Sequence, residues 1–461
     1  MQFVAREEDI ALLRDIWQIV KTNHVGQMVT VTGRPQVGKT SVILQAFEGI
    51  KTESPVFYFY VDRHSTERTL VATWLTHATA AFQVACPPTM ATVGEFFQYL
   101  LTLAQIKPAV VVFDACTAFD DINPNLWSQM QKAWDLTKNQ SALMVVMCDA
   151  SVSAMKAVFY EKTQPLFGRP SYALTVKSFM PQVMTSLVLK ANPEAKPIDL
   201  LTLYAITGGV PGVLEDFVDR EALTAEKALQ HVCSPQGAWV REQGELFLNH
   251  AFRVEATRYY EILMAIANGA THWRQIEARI ECASQLSPYL RRLETFGLIE
   301  KRQPIFEPID KKNASYRIAD QALWFWLTFI FPLVAKTRIE AHDWSGLRHF
   351  VDQRLPTFLE ATLKRWMIER YRYSHAWEVV DRWWTKASGR EAVQNESHVI
   401  DVVAINTTTK TVLLADVIGN AGKEDERRSA LEAAAKAFFV RHPAFQTYRT
   451  ALRSLSLSDL L

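Results

Sequence analysis

The stretch Gly33-Arg34-Pro35-Gln36-Val37-Gly38-Lys39-Thr40 decides the fold. It matches G-x-x-x-x-G-K-[ST] at every fixed position. Upstream, Met28-Val29-Thr30-Val31-Thr32 reads as a buried strand; downstream, Ser41-Val42-Ile43-Leu44-Gln45-Ala46-Phe47 reads as a helix. A chance glycine-rich turn would not need both flanking elements. Gly33 and Gly38 let the intervening chain, with Pro35, Gln36 and Val37, curl so that backbone N–H groups point at phosphate oxygens. The helix starting near Lys39 and Ser41 adds its positive dipole end. Lys39 is spaced to reach the β- and γ-phosphates, and the Thr40 hydroxyl to take a place on Mg²⁺. The stretch implies a nucleoside triphosphate and Mg²⁺ as ligands.

The rest of the chain sets bounds. At 461 residues it exceeds one compact core, and two to four domains are expected. The net charge of +1 and a 49% hydrophobic composition fit a globular protein without a charged tail. Met1 to Asp9 is charged early and has no apolar signal-peptide run. Leu323 to Ala335 is the most apolar run, shorter than the ~20 residues of a membrane span, and reads as a core helix ending at Pro332. Cys86, Cys116, Cys148, Cys233 and Cys282 are scattered and never form C-x-x-C, which argues against disulfide frameworks and zinc. A cytoplasmic protein with no membrane partner is the expectation.

Residues 1–178 alternate short apolar strands with helical stretches. The strands are Val56 to Val61, Val110 to Phe113, Leu143 to Met147 and Tyr172 to Val176, besides the one before Gly33. That alternation predicts an α/β core, a parallel sheet covered on both faces with nucleotide at the strands' carboxyl ends. Residues 179–245 read as helical, broken at Thr207-Gly208-Gly209-Val210-Pro211-Gly212. Residues 246–341 carry helices over Tyr260 to Ala267, Trp273 to Ile280 with Thr271 as cap, and Ser284 to Phe296 stopped by Gly297. Strands at Ile299 to Arg302 and Ala314 to Ile318 complete a winged-helix pattern, before the apolar run. Residues 342–461 form another α/β block, with helices over Phe358 to Tyr371 and Asp425 to Val440 and strands over Val399 to Ile405 and Thr411 to Val417.

Taken together, the chain resembles the archaeal-type ATPase family, P-loop proteins related to AAA+ and STAND ATPases. The resemblance rests on Phe3-Val4-x-Arg6-Glu7, the P-loop, Pro165-Leu166-Phe167-Gly168-Arg169, Gly208-Gly209-Val210-Pro211, Tyr316-Arg317-Ile318-Ala319-Asp320, and Phe325-Trp326 with Pro332. It implies an AAA+-like core, a helical lid, a winged helix and a C-terminal block similar to a PD-(D/E)XK nuclease. It also implies that the turn at Pro211 sits against nucleotide.

Asp114, closing an apolar strand, is the expected Mg²⁺-holding acid. The family usually carries Glu next, to polarise the attacking water; here Ala115 stands there. Loss of such a group typically costs ~10²–10⁴ in rate. Asp120 and Asp121 follow as possible substitutes. The γ-phosphate sensor expected after the fourth strand aligns with Ala150, with Asp149 or Ser151 as stand-ins. Arg169 reads either as an arginine finger or sensor, or as half of a structural ion pair.

Arg291, Arg292, Lys301, Arg302, Lys311 and Lys312 suit phosphate contact by the winged helix, diluted by Glu294, Glu300, Glu307 and Asp310. Internal docking of that domain is the competing reading. In the last block Asp401 and Asp416, with Glu360, could hold a divalent metal. The nuclease pattern wants Lys two residues after the second acid, where Ile418 stands; Lys423 is an unsupported replacement. Trp383 and Trp384 read as core rather than base-stacking residues. The expectation is an ATP-binding switch with slow or absent hydrolysis and no DNA cleavage. An active ATPase with a different water-positioning group and a DNA-binding module are the alternatives, and a protein partner or self-assembly is open.

Overall fold

The computed structural model describes residues 5–87, 90–251, 256–280, 286–308, 314–386, 396–419 and 424–460. The chain divides into two compact units, Met1–Lys177 and Ser178–Leu461.

The first unit is built on five parallel strands: β1 Gln27–Thr32, β2 Val56–Tyr60, β3 Ala109–Asp114, β4 Leu143–Asp149 and β5 Tyr172–Thr175. Their order across the sheet is β2-β3-β4-β1-β5. β3 and β4 are near-continuous apolar runs because both faces of a parallel sheet are covered. Alternate residues serve opposite cores. Val110 and Val112 of β3 join Val29, Val31, Trp17 and Phe47 on one face. Val111 and Phe113 join Phe59, Trp74, Phe96 and Met147 on the other. The strand order reverses at β1, whose neighbours are β4 and β5, so a crevice opens at its carboxyl end. The Gly33–Thr40 loop leaves the strand there.

The second unit begins with helices Pro181–Ala191, Pro197–Thr207, Pro211–Asp219, Ala225–Val232 and Ala238–Ala251. The first three open on proline, whose fixed φ suits the first helical position. Gly208 and Gly209 both take positive φ, and a Cβ on Gly209 would lie 2.3 Å from the Phe179 carbonyl oxygen. Helices Ala256–Ala267, Trp273–Glu277 and Leu286–Thr295 then precede an antiparallel pair, β6 Ile299–Arg302 and β7 Ser315–Ile318.

After three more helices, Gln321–Phe329, Leu333–Glu340 and Trp344–Tyr373, comes a second sheet. It contains β8 Val379–Lys386, β9 Glu396–Asn406, β10 Thr411–Val417 and β11 Arg449–Leu455, in the order β11-β10-β9-β8. The β8–β9 and β9–β10 pairs are antiparallel; helix Glu424–Arg441 carries the chain over to β11, parallel to β10.

Several expectations need correction. The apolar run is two helices: the first ends at Phe329, and Pro332 caps a second bent from it by 74°. No single described helix is long and apolar enough to cross a membrane. The Trp273 helix stops at Glu277 and is preceded by His272, with the Gln275 side chain accepting the amides of both Thr271 and His272. The helix expected from Phe358 begins at Trp344 and runs through Pro356. β8 and β11 were not anticipated. β8 hides behind mixed polar and aromatic residues, and Trp383 and Trp384 on it are fully buried, as core residues. β11 is largely exposed and shows no apolar alternation.

Candidate nucleotide site

The loop after β1 has the geometry that phosphate cradling needs. Gly33, Gln36 and Gly38 take positive φ, and a Cβ on Gly33 would meet the Val176 carbonyl oxygen at 2.4 Å. Gly38 caps helix Lys39–Phe47, whose first N–H groups face the loop's concavity. Val37 is buried under the loop, while Pro35 and Gln36 are half-buried and Ser41 is exposed on the helix's first turn. Arg6 holds the loop from outside: its guanidinium donates to the Val37 carbonyl at 2.9 Å and the Lys177 carbonyl at 2.7 Å. Sequence reading used Arg6 as part of a motif and missed this role.

Lys39 folds back and donates to the carbonyls of Gly33 and Arg34, at 2.9 and 3.1 Å. Burial pushes its ammonium below the usual lysine range, against the attraction of nearby acidic groups. A phosphate in the loop would replace those carbonyls as its partner. Thr40 Oγ1 lies 3.5 Å from Asp114 Oδ2, across the gap between the loop and β3. A hydroxyl and a carboxylate so placed would hold Mg²⁺, which would supply charge neutralisation at a bound phosphate.

Tyr58 is the residue that sequence reading missed altogether. From β2 its hydroxyl donates to Asp114 Oδ2 and lies 3.3 Å from Thr40 Oγ1. Burial and the adjacent carboxylate push the phenol well above its usual range, so it stays a donor. The only signal was a tyrosine pointing to the same sheet face as Val56, one strand from Asp114.

Ala115 follows Asp114 with φ 56, a left-handed backbone uncommon for alanine, and its amide donates to Asp114 Oδ1 at 2.9 Å. Two neighbouring carboxylates, Asp120 and Asp149, are committed elsewhere. Asp120 accepts the Trp127 indole N–H at 2.5 Å. Asp149 is buried, accepting the Thr117 hydroxyl at 2.6 Å, the Thr117 amide at 3.0 Å and the Ser151 amide at 2.8 Å. Ser151 in turn caps helix Val152–Tyr160. Asp149 and Ser151 therefore hold the loop after β4 together, and Ala150 carries no polar side chain. Asp121 is exposed on the short helix Phe119–Ile122.

Arg169 calls for a correction as a sensor for this loop. It precedes β5, at the amino edge of the parallel sheet, while the loop lies at the carboxyl edge. Its guanidinium makes a two-point contact with Asp135, 2.9 and 3.3 Å, and donates to the Phe167 carbonyl. The structural ion pair is what forms. Pro211 belongs to the second unit, where it opens helix Pro211–Asp219 beside the Gly208–Gly209 turn.

In the second unit Asp401 is buried on β9, with Oδ2 3.1 Å from Lys364 Nζ and Oδ1 3.7 Å from Arg382 Nε. Asp416 is pushed up to about 7 by burial and by its hydrogen bond with Asp401. Arg427 lies 3.1 Å from Glu360 and 3.7 Å from Asp416. Among the described residues no group of three or more His, Cys, Asp or Glu side chains is placed to hold a metal. Cations occupy the spaces between these acids, so the arrangement does not fit the expected metal; Lys423 lies outside the described residues.

On the β6–β7 hairpin, Arg302 points inward and pairs with Asp381 of β8, and Glu300 pairs with Arg317. Glu307 accepts from the Trp383 indole and from Arg441. Arg291 and Arg292 are exposed on their helix, and Arg292 also reaches the Tyr259 hydroxyl. Lys311, Lys312 and Asp310 lie outside the described residues.

Residues 3–217 match the family described as an ATPase domain predominantly from Archaea. An uncharacterized protein of Methanocaldococcus jannaschii is 24% identical over 426 residues, 90% of this chain and 87% of that one. Among solved structures, the Walker-type ATPase of Pyrococcus abyssi aligns with TM-score 0.51 and 19% identity, over 70% of this chain and 96% of that one. The Aeropyrum pernix ORC2 protein, in ADPNP and ADP complexes, aligns with TM-score 0.44 and 13% identity, over 77% of this chain and 96% of that one.

Proposed function

We propose that the chain, whose residues 3–217 match an ATPase domain predominantly from Archaea, is an ATP-binding switch whose hydrolysis is slow or absent. The carrying observation is that Ala115 stands beside Asp114, while the carboxylates of Asp120 and Asp149 are tied to Trp127, Thr117 and Ser151. A water in line with a γ-phosphate then lacks the usual carboxylate next to the Mg²⁺-holding acid, a group worth ~10²–10⁴ in rate, and Asp121, exposed on its short helix, is the carboxylate left to test. Binding needs none of these groups. The loop amides and Lys39 would hold the phosphates, and Thr40 with Asp114 would hold Mg²⁺, which supplies charge neutralisation.

In this reading the second unit reports nucleotide state. Helices 179–245 act as the lid. Residues 246–341 are a winged helix used for internal docking, and 342–461 a degenerate nuclease-like domain. Three features support that reading: the strand order with one helical crossover, Ile418 in place of lysine, and the inward contacts of Arg302 with Asp381 and of Glu307 with Trp383. The same contacts disfavour duplex DNA as the partner of the hairpin. The reading places the protein in the cytoplasm.

The test is steady-state ATP turnover of the full chain beside Lys39→Ala. Equal, near-background rates with nucleotide binding lost only in Lys39→Ala support the switch. Sustained turnover that vanishes in Lys39→Ala overturns it. A further loss in Asp120→Ala or Asp121→Ala would then identify the substitute base.

A further inference from the structure

The second unit contains a cavity of about 620 Å³ between helix Trp344–Tyr373, the β6–β7 hairpin and the strands β8 and β9. Small-molecule sites typically fall at ~300–1,000 Å³. Its lining is unusual in charge. Arg302, Arg317, Arg354, Lys364, Arg365 and Arg382 all face it, and Asp401 is the sole acidic residue among the lining.

Carboxylate partners balance only some of these cations. Arg302 is balanced by Asp381 and Arg317 by Glu300. Lys364 lies 3.1 Å from Asp401 and 3.9 Å from Glu360, and Arg382 lies 3.7 Å from the same Asp401. Arg365 is buried and donates only to neutral groups: the carbonyls of Ile318 and Ala319 and the Gln321 side chain. Arg354 donates to the Thr328 carbonyl at 3.5 Å and to Asn268 Oδ1 at 3.0 Å. Among the described residues neither has a carboxylate within ion-pair distance. The crowding is felt electrostatically: burial, then the nearby Arg317 and Arg382 charges, push Arg302 down to about 10. For Arg365, a buried charge without a carboxylate is costly unless an anion completes the site. Guanidinium forks suit the oxygens of phosphate.

We propose that this cavity binds a small polyanion of the phosphate type, about mononucleotide in size, with Arg354, Lys364, Arg365 and Arg382 as its principal contacts. The site is independent of the P-loop and would let a second, free ligand bias the contact between the hairpin and the C-terminal sheet. Asp401, shared by Lys364 and Arg382, stands where such an anion's oxygens would compete.

The test uses full-length Lys39→Ala protein, which weakens phosphate binding at the P-loop, titrated calorimetrically with inorganic pyrophosphate without Mg²⁺. Arg354→Gln and Lys364→Gln are added singly to that background, and melting temperature is recorded for each. Arg354 is exposed, so its substitution leaves the packed core alone. The expected result is saturable binding that weakens roughly tenfold or more in each variant, at unchanged melting temperature for Arg354→Gln. No saturable binding, or binding indifferent to both substitutions, overturns the proposal. So does duplex DNA binding that needs these residues while pyrophosphate binding is absent, which would make the surface a nucleic-acid contact.

Discussion

The Tyr58 hydroxyl donates its hydrogen bond to the carboxylate of Asp114 on the neighbouring strand. It lies 3.3 Å from Thr40 Oγ1 as well, so one phenol bridges the two side chains best placed to hold Mg²⁺. Because the phenol remains protonated well above neutrality, this tie is not released by ordinary changes in pH.

Tyr58→Phe is therefore expected to tighten Mg²⁺-dependent nucleotide binding. The phenol competes with the cation for Asp114, and a net hydrogen bond of about 1 kcal/mol corresponds to roughly fivefold in affinity. Titration of a fluorescent ATP analogue with and without Mg²⁺ checks this. Weaker binding would mean that Tyr58 supports the bound state instead.

Ala115→Glu should raise the hydrolytic rate by at least about tenfold, short of the full ~10²–10⁴ that a well-placed base supplies. The left-handed backbone at this position is already borne by alanine's Cβ, so glutamate adds no new strain of that kind. Phosphate release under saturating ATP is the readout. No gain would place the missing activity elsewhere than at this position.

Arg6→Ala removes two bonds, to Val37 and Lys177, from a buried guanidinium. The orphaned carbonyls should cost the first unit about 1–3 kcal/mol and weaken nucleotide binding through a looser loop. Urea unfolding and the same fluorescent titration measure the two effects. A loss of affinity without loss of stability would contradict this clamping role.

The Arg302–Asp381 contact sets a pH window. Burial alone would raise Asp381, but Arg302, the Arg382 amide and Arg372 hold it below its ordinary 3.8. A depressed acid contributes stability that is present above its unfolded value and lost as pH falls through its folded value. Asp381→Asn should thus lower stability at neutral pH and flatten acid unfolding below about pH 4. Denaturant midpoints from pH 7 to pH 3 test the slope; equal slopes in both proteins would refute it.

Much of this was legible in the sequence where chemistry and spacing coincide. Gly33, Gly38, Lys39 and Thr40 announce their geometry because only certain residues tolerate that backbone and reach phosphate. The apolar runs of β3 and β4 announce a buried parallel sheet. Arg169 was ambiguous because a sequence does not show which edge of the sheet a loop occupies, and its partner Asp135 lies 34 positions away. Tyr58 and Arg6 were unreadable as site residues because their partners come from other strands and loops. β11 escaped because an exposed edge strand needs no apolar alternation. Ile418 announced a lost lysine, but the cations Lys364, Arg382 and Arg427 that occupy the acidic cluster become visible only in three dimensions.

The most direct measurement is a single-turnover experiment with the full chain in excess over labelled Mg²⁺-ATP and Lys39→Ala as control, following bound nucleotide and ADP for hours. The account expects ATP to stay bound and intact in the natural sequence and to be lost only in Lys39→Ala. ADP formed within minutes in the natural sequence, and not in the control, would contradict it.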